Sequence, residues 1–455
     1  MIHDSVRART APAIRVSALA ALGVMLGVML GVMLATSAPD LAAQDTLRLA
    51  DLQADARRRD ARAAQPALLE RASDLRRAAI ATGRLPQLAL NGSASHQSDV
   101  TAIPINIPGS TVPVPPKARW SATLDVQQQL YDGGAVGARQ ALERSRLVES
   151  AAAVETSLYR LRAEVNGAFF QALLLGERIR ELDGLLEDLD ARLGVARARV
   201  REGAALGRDT AAIAAERINA QLAQEEALAG RRAALSTLAD LAGRAAIAEG
   251  SVIQLPDLDE DVAEALRTGA ASIRARPEFA YFRGTRERIA SEVSLAHVEN
   301  RPRIVAFGQA GVGQPGLNQF RDDPDDFWLA GVRVEWRPWT WRSAHRNAEA
   351  LGVQQRVVET EEQALADALA RAVGADLEDI ARLGDALRAD ATLVTLRAEI
   401  EGVTRAQFDE GTITAADYIE TRTDLANARL QLHRHRVERA RAQTRFLTTI
   451  GLAPR

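Results

Sequence analysis

The chain of 455 residues has no cysteine, one lysine (Lys117) and only 4% aromatic residues. Without cysteine there is no disulfide framework, no thiolate metal site, no thiol nucleophile and no lipidation on an N-terminal cysteine. Every methionine (Met1, Met25, Met29, Met33) lies near the N-terminus, so the rest of the chain offers no soft thioether relay for metals. The formal charge is −3, with no basic block, which removes any reason to expect nucleic acid. Catalytic patterns are missing too. His96, His297, His345, His433 and His435 form no HExxH or triad-like set, and His433 and His435, two apart on a helix, point in different directions. The run Gly311-Val312-Gly313-Gln314-Pro315-Gly316 has the glycine spacing of a dinucleotide loop, but it leads into an acidic loop, Asp322 to Asp326, and no helix opens there. The acidic loop reads as solvated rather than as a divalent-cation site. The expectation is no enzyme, no cofactor and no metal site.

What the chain does have begins with its N-terminus. Arg7, Arg9 and Arg15 precede an uncharged run from Val16 to Ala35, and small residues follow to Ala43. Residues 1–43 therefore read as a secretory signal peptide, the alternative being a retained anchor, since about 20 apolar residues span a bilayer. Proline is absent from Lys117 to Leu255 and again between Pro338 and Pro454, so nothing of that kind interrupts a helix in either run. Within the first run Leu158, Val165, Ala172, Ile179, Leu186, Leu193 and Val200 form one heptad row, and Leu161, Ala168, Leu175, Leu182, Leu189 and Ala196 form the row between them. Those are the two seam positions of a coiled coil. The spacing predicts a helix from Ala135 to the Arg201-Glu202-Gly203 break, a rod of roughly 100 Å at about 1.5 Å per residue.

The same order of elements comes twice. Leu47 to Thr82 is helical in pattern, with Pro66 in the first turn of a second helix; Leu88 to Ala94 alternates apolar and polar residues, and Trp120 to Gln129 does so again. Ile304 to Val312 and Phe327 to Trp336 repeat that pair. Trp120 and Trp328, Glu202 and Glu410, Gly203 and Gly411, Asp209 and Asp417, Asn219 and Asn427, and Gly243 and Gly451 are all separated by 208 residues, the mark of a tandem duplication. The organisation expected is a signal peptide (1–43), a first repeat (44–243), a linker (244–276) and a second repeat (277–455). Ten-residue alternating segments have the length of tilted membrane strands, and Trp120, Tyr131, Trp328, Trp336, Trp339 and Trp341 stand where interfacial aromatics belong. A soluble hairpin packed on helices is the alternative for these segments. In the second long helix, Asp376, Asp390 and Arg397 interrupt the seam, which predicts a helix bordering water and cysteines at 376 and 390 open to reagent.

Leu85-Pro86-Gln87-Leu88, Leu130-Tyr131-Asp132-Gly133-Gly134, the break from Gly411 to Asp417, Asn427-Ala428 and Thr449-Ile450-Gly451 together resemble the TolC family of outer-membrane efflux proteins, over nearly the whole chain after residue 43. The resemblance implies a mainly α fold with a membrane β-barrel. In it, long antiparallel coiled-coil hairpins form a trimeric tunnel, and four strands per chain contribute to a shared twelve-stranded barrel. It implies an outer-membrane channel reaching into the periplasm for tripartite efflux or type I secretion. The implied partners are two further copies, a periplasmic adaptor (membrane fusion protein), an inner-membrane RND or ABC pump and outer-membrane lipid. It also points to a constriction at the helix breaks, with Asp417, Glu420, Asp424, Asp209, Phe408 and Ile413 as candidates. Phe408 and Ile413 stand where some members carry a tyrosine and an arginine that latch onto an aspartate matched by Asp209, so the expected closure is apolar. Thr414 and Asp417 also fit a helix-capping pair. The rival reading is a periplasmic coiled-coil structural or adaptor protein.

Overall fold

The computed structural model describes residues 46–101, 114–203, 206–268, 273–319 and 323–454. The segment read as a signal peptide and Asp322 lie outside the described residues. The chain divides into residues 1–46 with 250–252, of which only Thr46 and the latter three are described, and a body of Leu47–Glu249 with Ile253–Arg455. The body is mainly helical, and the remainder of this section concerns it alone.

Its helices are α1 (Leu49–Arg59), α2 (Gln65–Ala81), α3 (Ala135–Arg201), α4 (Gly207–Ala242), α5 (Asp259–Thr268), α6 (Pro277–Val298), α7 (Ser343–Glu410) and α8 (Ala415–Thr449). Four strands, β1 (Gln87–His96), β2 (Ala118–Tyr131), β3 (Arg303–Gln314) and β4 (Asp325–Glu335), form one sheet in the order β1-β2-β3-β4 with every neighbour antiparallel. Each strand runs on into a helix: α2 enters β1, β2 leaves into α3, α6 enters β3 and β4 leaves into α7. The helices keep the strand order, since α2 packs on α3, α3 on α6 and α6 on α7. Farther from the sheet, α3 pairs with α4, α8 lies against α3, and α7 pairs with α8.

The 67 residues of α3 and the 68 of α7 are the two through-rods, and their returning partners have 36 and 35 residues. No proline falls inside any of the four. The seam read in α3 is the packed one: none of its two rows is exposed, and Leu189 is fully buried among Leu185, Leu193 and Ile213. A second apolar cluster joins Val165, Phe169 and Phe170 of α3 to Leu49 and Leu52 of α1 and to Leu235 and Leu238 of α4. Glycine ends both rods. Gly203 and Gly411 take φ of +73° and +77°, a left-handed conformation that side chains with a Cβ resist.

Three expectations need correction. Asp376 and Asp390 do not border water; they are 3% and 4% exposed and lie in the seam between α7 and α8. Asp376 accepts from Arg445 and from Thr449 Oγ1 (3.3 Å), while Asp390 accepts from Gln431 (3.1 Å) and pairs with His435 Nδ1 (2.6 Å). The seam reading failed because α8 supplies cationic and amide side chains at the facing positions, which makes a buried carboxylate tolerable. The second correction is local. Asp325 and Asp326 belong to β4, paired with Gly313 and Val312, so the return strand starts before Phe327 and the acidic loop is shorter than read; Trp336 lies just past the strand. Third, the stretch read as a polar linker contains α5, whose Leu258, Val262 and Ala265 flank pack against Phe446, Leu447 and Ile450.

Candidate functional site

The register brings the alternation of all four strands into phase. Leu90, Leu124, Ala310 and Trp328 stand side by side on one face, and Leu88, Val126, Gly308 and Ala330 form the next row. On the other face Asn91 and Thr123 stand side by side, as do Gln87 and Gln127, and Asp125 stands beside Gln309. Asn91 donates to Asp125, Thr123 Oγ1 lies 3.1 Å from the same carboxylate, and Ser93 meets Ser121 at 2.9 Å. On β1 and β2 the polar face is thus hydrogen-bonded within itself, and on β3 and β4 it carries Gln309, Arg333 and Glu335 together with Phe307 and Leu329; the apolar face is bare, with Leu90 83%, Trp328 75% and Val332 63% exposed. An apolar surface on a sheet backed by no helix needs a non-aqueous neighbour. Glycine lets the strands approach, for a Cβ on Gly311 would sit 2.3 Å from the Ala122 carbonyl oxygen. That glycine lies inside β3, so no dinucleotide loop forms there.

Exposed aromatics mark both ends of this face. Trp120, whose indole N–H donates to Gln314 (3.1 Å), and Trp328 lie toward the loop ends of their strands, while Tyr131, Trp336, Trp339 and Trp341 lie toward the helices. From Trp120 to Tyr131 the strand covers roughly 36 Å, or about 25–30 Å along the normal of a bilayer at the usual tilt of 35–45°. The turn into α3 uses Gly133 and Gly134 at φ +67° and +94°, with Asp132 capping the Gly134 and Val136 N–H groups. The turn into α7 keeps the left-handed backbone with Trp341 and Arg342 at +51° and +58°. No helix among the described residues is long and apolar enough to cross a membrane.

At the far ends of the rods, the two hairpin tips lie against each other. Phe408 is buried and stacks on Tyr418 (centroids 5.2 Å apart, planes 12°), and Ile413 packs on the same cluster as Leu189 and Ile213. Sequence reasoning missed the polar layer beside it. The Tyr418 phenol donates to Asp188 of α3 (2.5 Å), Arg422 Nε lies 3.4 Å from that carboxylate, and Arg192 pairs with Asp409. Burial first, and then the Asp188 carboxylate, push the Tyr418 ionisation above the ordinary phenol range. The signal was available, since Asp188 and Arg192 stand one turn apart on one helix face, but partners on separate elements cannot be read from spacing. Asp417 forms a full capping box with Thr414, and hydrogen bonds from Thr414 hold its carboxyl below the usual range. Asp417 and Glu420 are exposed, and Asp424 pairs with Arg397 (2.6 Å). Asp209 lies in the first turn of α4, 4.0 Å from its neighbour Arg208.

Residues 52–244 match the model of the outer membrane efflux protein family. No curated protein matches the chain by sequence. Among solved structures, CusC superposes with a TM-score of 0.67 at 13% identity, over 89% of this chain and 92% of that one. A membrane protein from Pseudomonas aeruginosa gives 0.67 at 16% over 90% and 92%, and the open-state MtrE outer membrane channel of Neisseria gonorrhoeae gives 0.63 at 16% over 90% of each. With the sheet, the rods and the tips arranged as above, residues 52–244 are similar to the outer membrane efflux protein family, and the chain as a whole shares the fold of these solved structures.

Proposed function

We propose that three copies join edge to edge, β4 of one beside β1 of the next, into a twelve-stranded barrel continued by a helical tunnel. The observation that carries this reading is the in-phase sheet with one apolar face, one polar face and two open edges. Inside a bilayer an open edge leaves backbone N–H and C=O groups without partners, at several kcal/mol each, so only closure is tolerable. Because strand direction alternates across the sheet, β4 against a neighbour's β1 continues the antiparallel order. The polar face then lines a water-filled passage and the aromatics sit at the two interfaces. A periplasmic adaptor or structural coiled coil has no use for a bare apolar sheet face.

In this reading the rods cross the periplasm, and the tips meet a periplasmic adaptor serving an inner-membrane RND or ABC pump, for efflux or type I secretion. Asp417 and Glu420 expose carboxylates near the tip, where three copies would give rings of charge, and Asp424, paired with Arg397, stands one turn on. Phe408 and Ile413 supply the apolar packing behind them, and Asp209 flanks the first hairpin's tip. Purified trimers in a planar lipid bilayer test the reading: discrete conductance steps are expected, and folded, membrane-inserted protein that passes no current overturns it.

A further inference from the structure

Where the polar face of the sheet passes into the helices, a cavity of about 400 Å³ is lined by Arg139 of α3, by Glu299, Arg301, Arg303, Glu335 and Arg337, and by Thr340 and Ser343. Arg303 stands opposite Glu335 in the backbone register of β3 and β4, on the same face as Gln309 and Asp125, and Arg337 lies two residues past the end of β4. The group therefore belongs to the polar side of the wall, away from the bare apolar face. Four guanidinium groups meet two carboxylates. Arg301 donates to the Gly133 carbonyl (3.2 Å), and Glu335 lies 3.9 Å from Arg333, outside the cavity. Among the described residues, Arg139, Arg303 and Arg337 have no carboxylate within ion-pair distance.

A guanidinium without a carboxylate partner, beside two others in a concave site, matches a multiply charged oxyanion, because its planar fork donates two parallel hydrogen bonds. We infer that this cavity is a binding site for polyvalent oxyanions, phosphate or carboxylate in chemistry, at the junction between barrel and tunnel. It rests on the polar face being the lumen, as proposed above. Three copies would then make a basic collar through which anionic cargo passes and against which free polycations are repelled. A collar of this kind lies on the extracellular side of the tips, so an anion added from outside reaches it first.

The test is single-channel recording in a bilayer of neutral phosphatidylcholine at 0.1 M KCl, with inorganic triphosphate added on the extracellular side. The expected result is a block that weakens at least tenfold in Arg303→Gln/Arg337→Gln, weakens in Arg139→Gln, weakens less in Arg337→Lys, which keeps the charge without the fork, than in Arg337→Gln, and fades at 1 M KCl, where the screening length falls to about 3 Å. Arg139→Gln lies on an exposed helical face and keeps the test open if the double variant fails to assemble. Open channels indifferent to triphosphate, or equal block in wild type and every variant, overturn the inference while leaving the channel reading intact. Assembled trimers without any conductance overturn the channel reading itself.

Discussion

The first and second hairpins share a length, a direction and a place in the fold, yet they are held together by different chemistry. Along α3 the seam is apolar at every layer, down to Leu182, Leu189 and Ala196. Along α7 the buried row runs Leu369, Asp376, Leu383, Asp390, and then Glu401 and Phe408. Each carboxylate in that row has its own partners: Arg445 and Thr449, Gln431 and His435, and a bidentate Arg405. An apolar seam is strong and indifferent to sliding by a heptad. A seam of paired charges adds little net stability but specifies one register, because any slip leaves buried charge unpaired. The comparison teaches that a duplicated rod can keep its fold while one copy exchanges cohesion for specificity.

The comparison breaks most sharply if a charge is moved. Leu189→Asp places an unpaired carboxylate in the apolar seam, at a cost above about 4 kcal/mol, and should abolish heat-stable trimers on gels. Asp390→Leu in the second seam leaves Gln431 and His435 without their acceptor, at about 1–3 kcal/mol for each. Adding His435→Leu should restore part of that loss in thermal unfolding, whereas an additive loss would show that the pair does not act as a unit.

Acid should separate the hairpins next. The Arg445 and Arg382 hydrogen bonds hold Asp379 below the usual carboxylate range; Asp259, which burial would raise, is also kept low by Arg439 and Gln443. A depressed folded value contributes stability above the unfolded value of about 3.9 and loses it as pH falls through the folded one. Hydrogen-exchange protection factors, corrected for the intrinsic rate at each pH, should therefore be steady in α7 and α8 from pH 7 to 5 and fall below about pH 4; an equal fall in the apolar layers of α3 would refute the contrast. Tyr418→Phe removes the bond to Asp188 and should cost about 1 kcal/mol. Because burial and Asp188 raise the Tyr418 ionisation, its contribution is complete below pH 10 and lost only above it. Ultraviolet titration of wild type minus variant should accordingly show no phenol ionising near pH 10.

The strand-to-helix turns offer the smallest and cleanest contrast. Gly133 and Gly134 of one turn correspond, 208 residues on, to Trp341 and Arg342, which hold left-handed φ without glycine's freedom. Arg342→Gly should stabilise by about 1 kcal/mol in thermal unfolding, since a left-handed residue with a Cβ costs about 1–2 kcal/mol; a loss would mean that the Arg342 side chain contributes more than its backbone costs.

Much of this was legible before any coordinates. The heptads of α3, the Gly203 and Gly411 breaks, the alternation of Trp120 to Gln129 and the spacing of 208 residues are local or periodic signals, and periodicity reports which face is buried. What faces that surface is another matter. Asp376 and Asp390 looked like positions open to water because a carboxylate in a seam is read alone, whereas its partners Arg445 and His435 sit on α8 and are matched only by antiparallel register. Tyr418 escaped notice for the same reason. The short α5 was hidden within a polar composition, since ten residues give too few turns for a period to emerge.

The central claim is that the two faces of one sheet meet different solvents. Its most direct test exploits the absence of cysteine: single cysteines placed along β2 at Ser121, Ala122, Thr123, Leu124, Asp125, Val126 and Gln127, in trimers reconstituted into liposomes, are offered a charged, water-soluble maleimide. The account predicts labelling at 121, 125 and 127 and protection at 122, 124 and 126, position 123 being buried within the chain and serving as a protected control; labelling of both sets alike, or the reverse pattern, would contradict it.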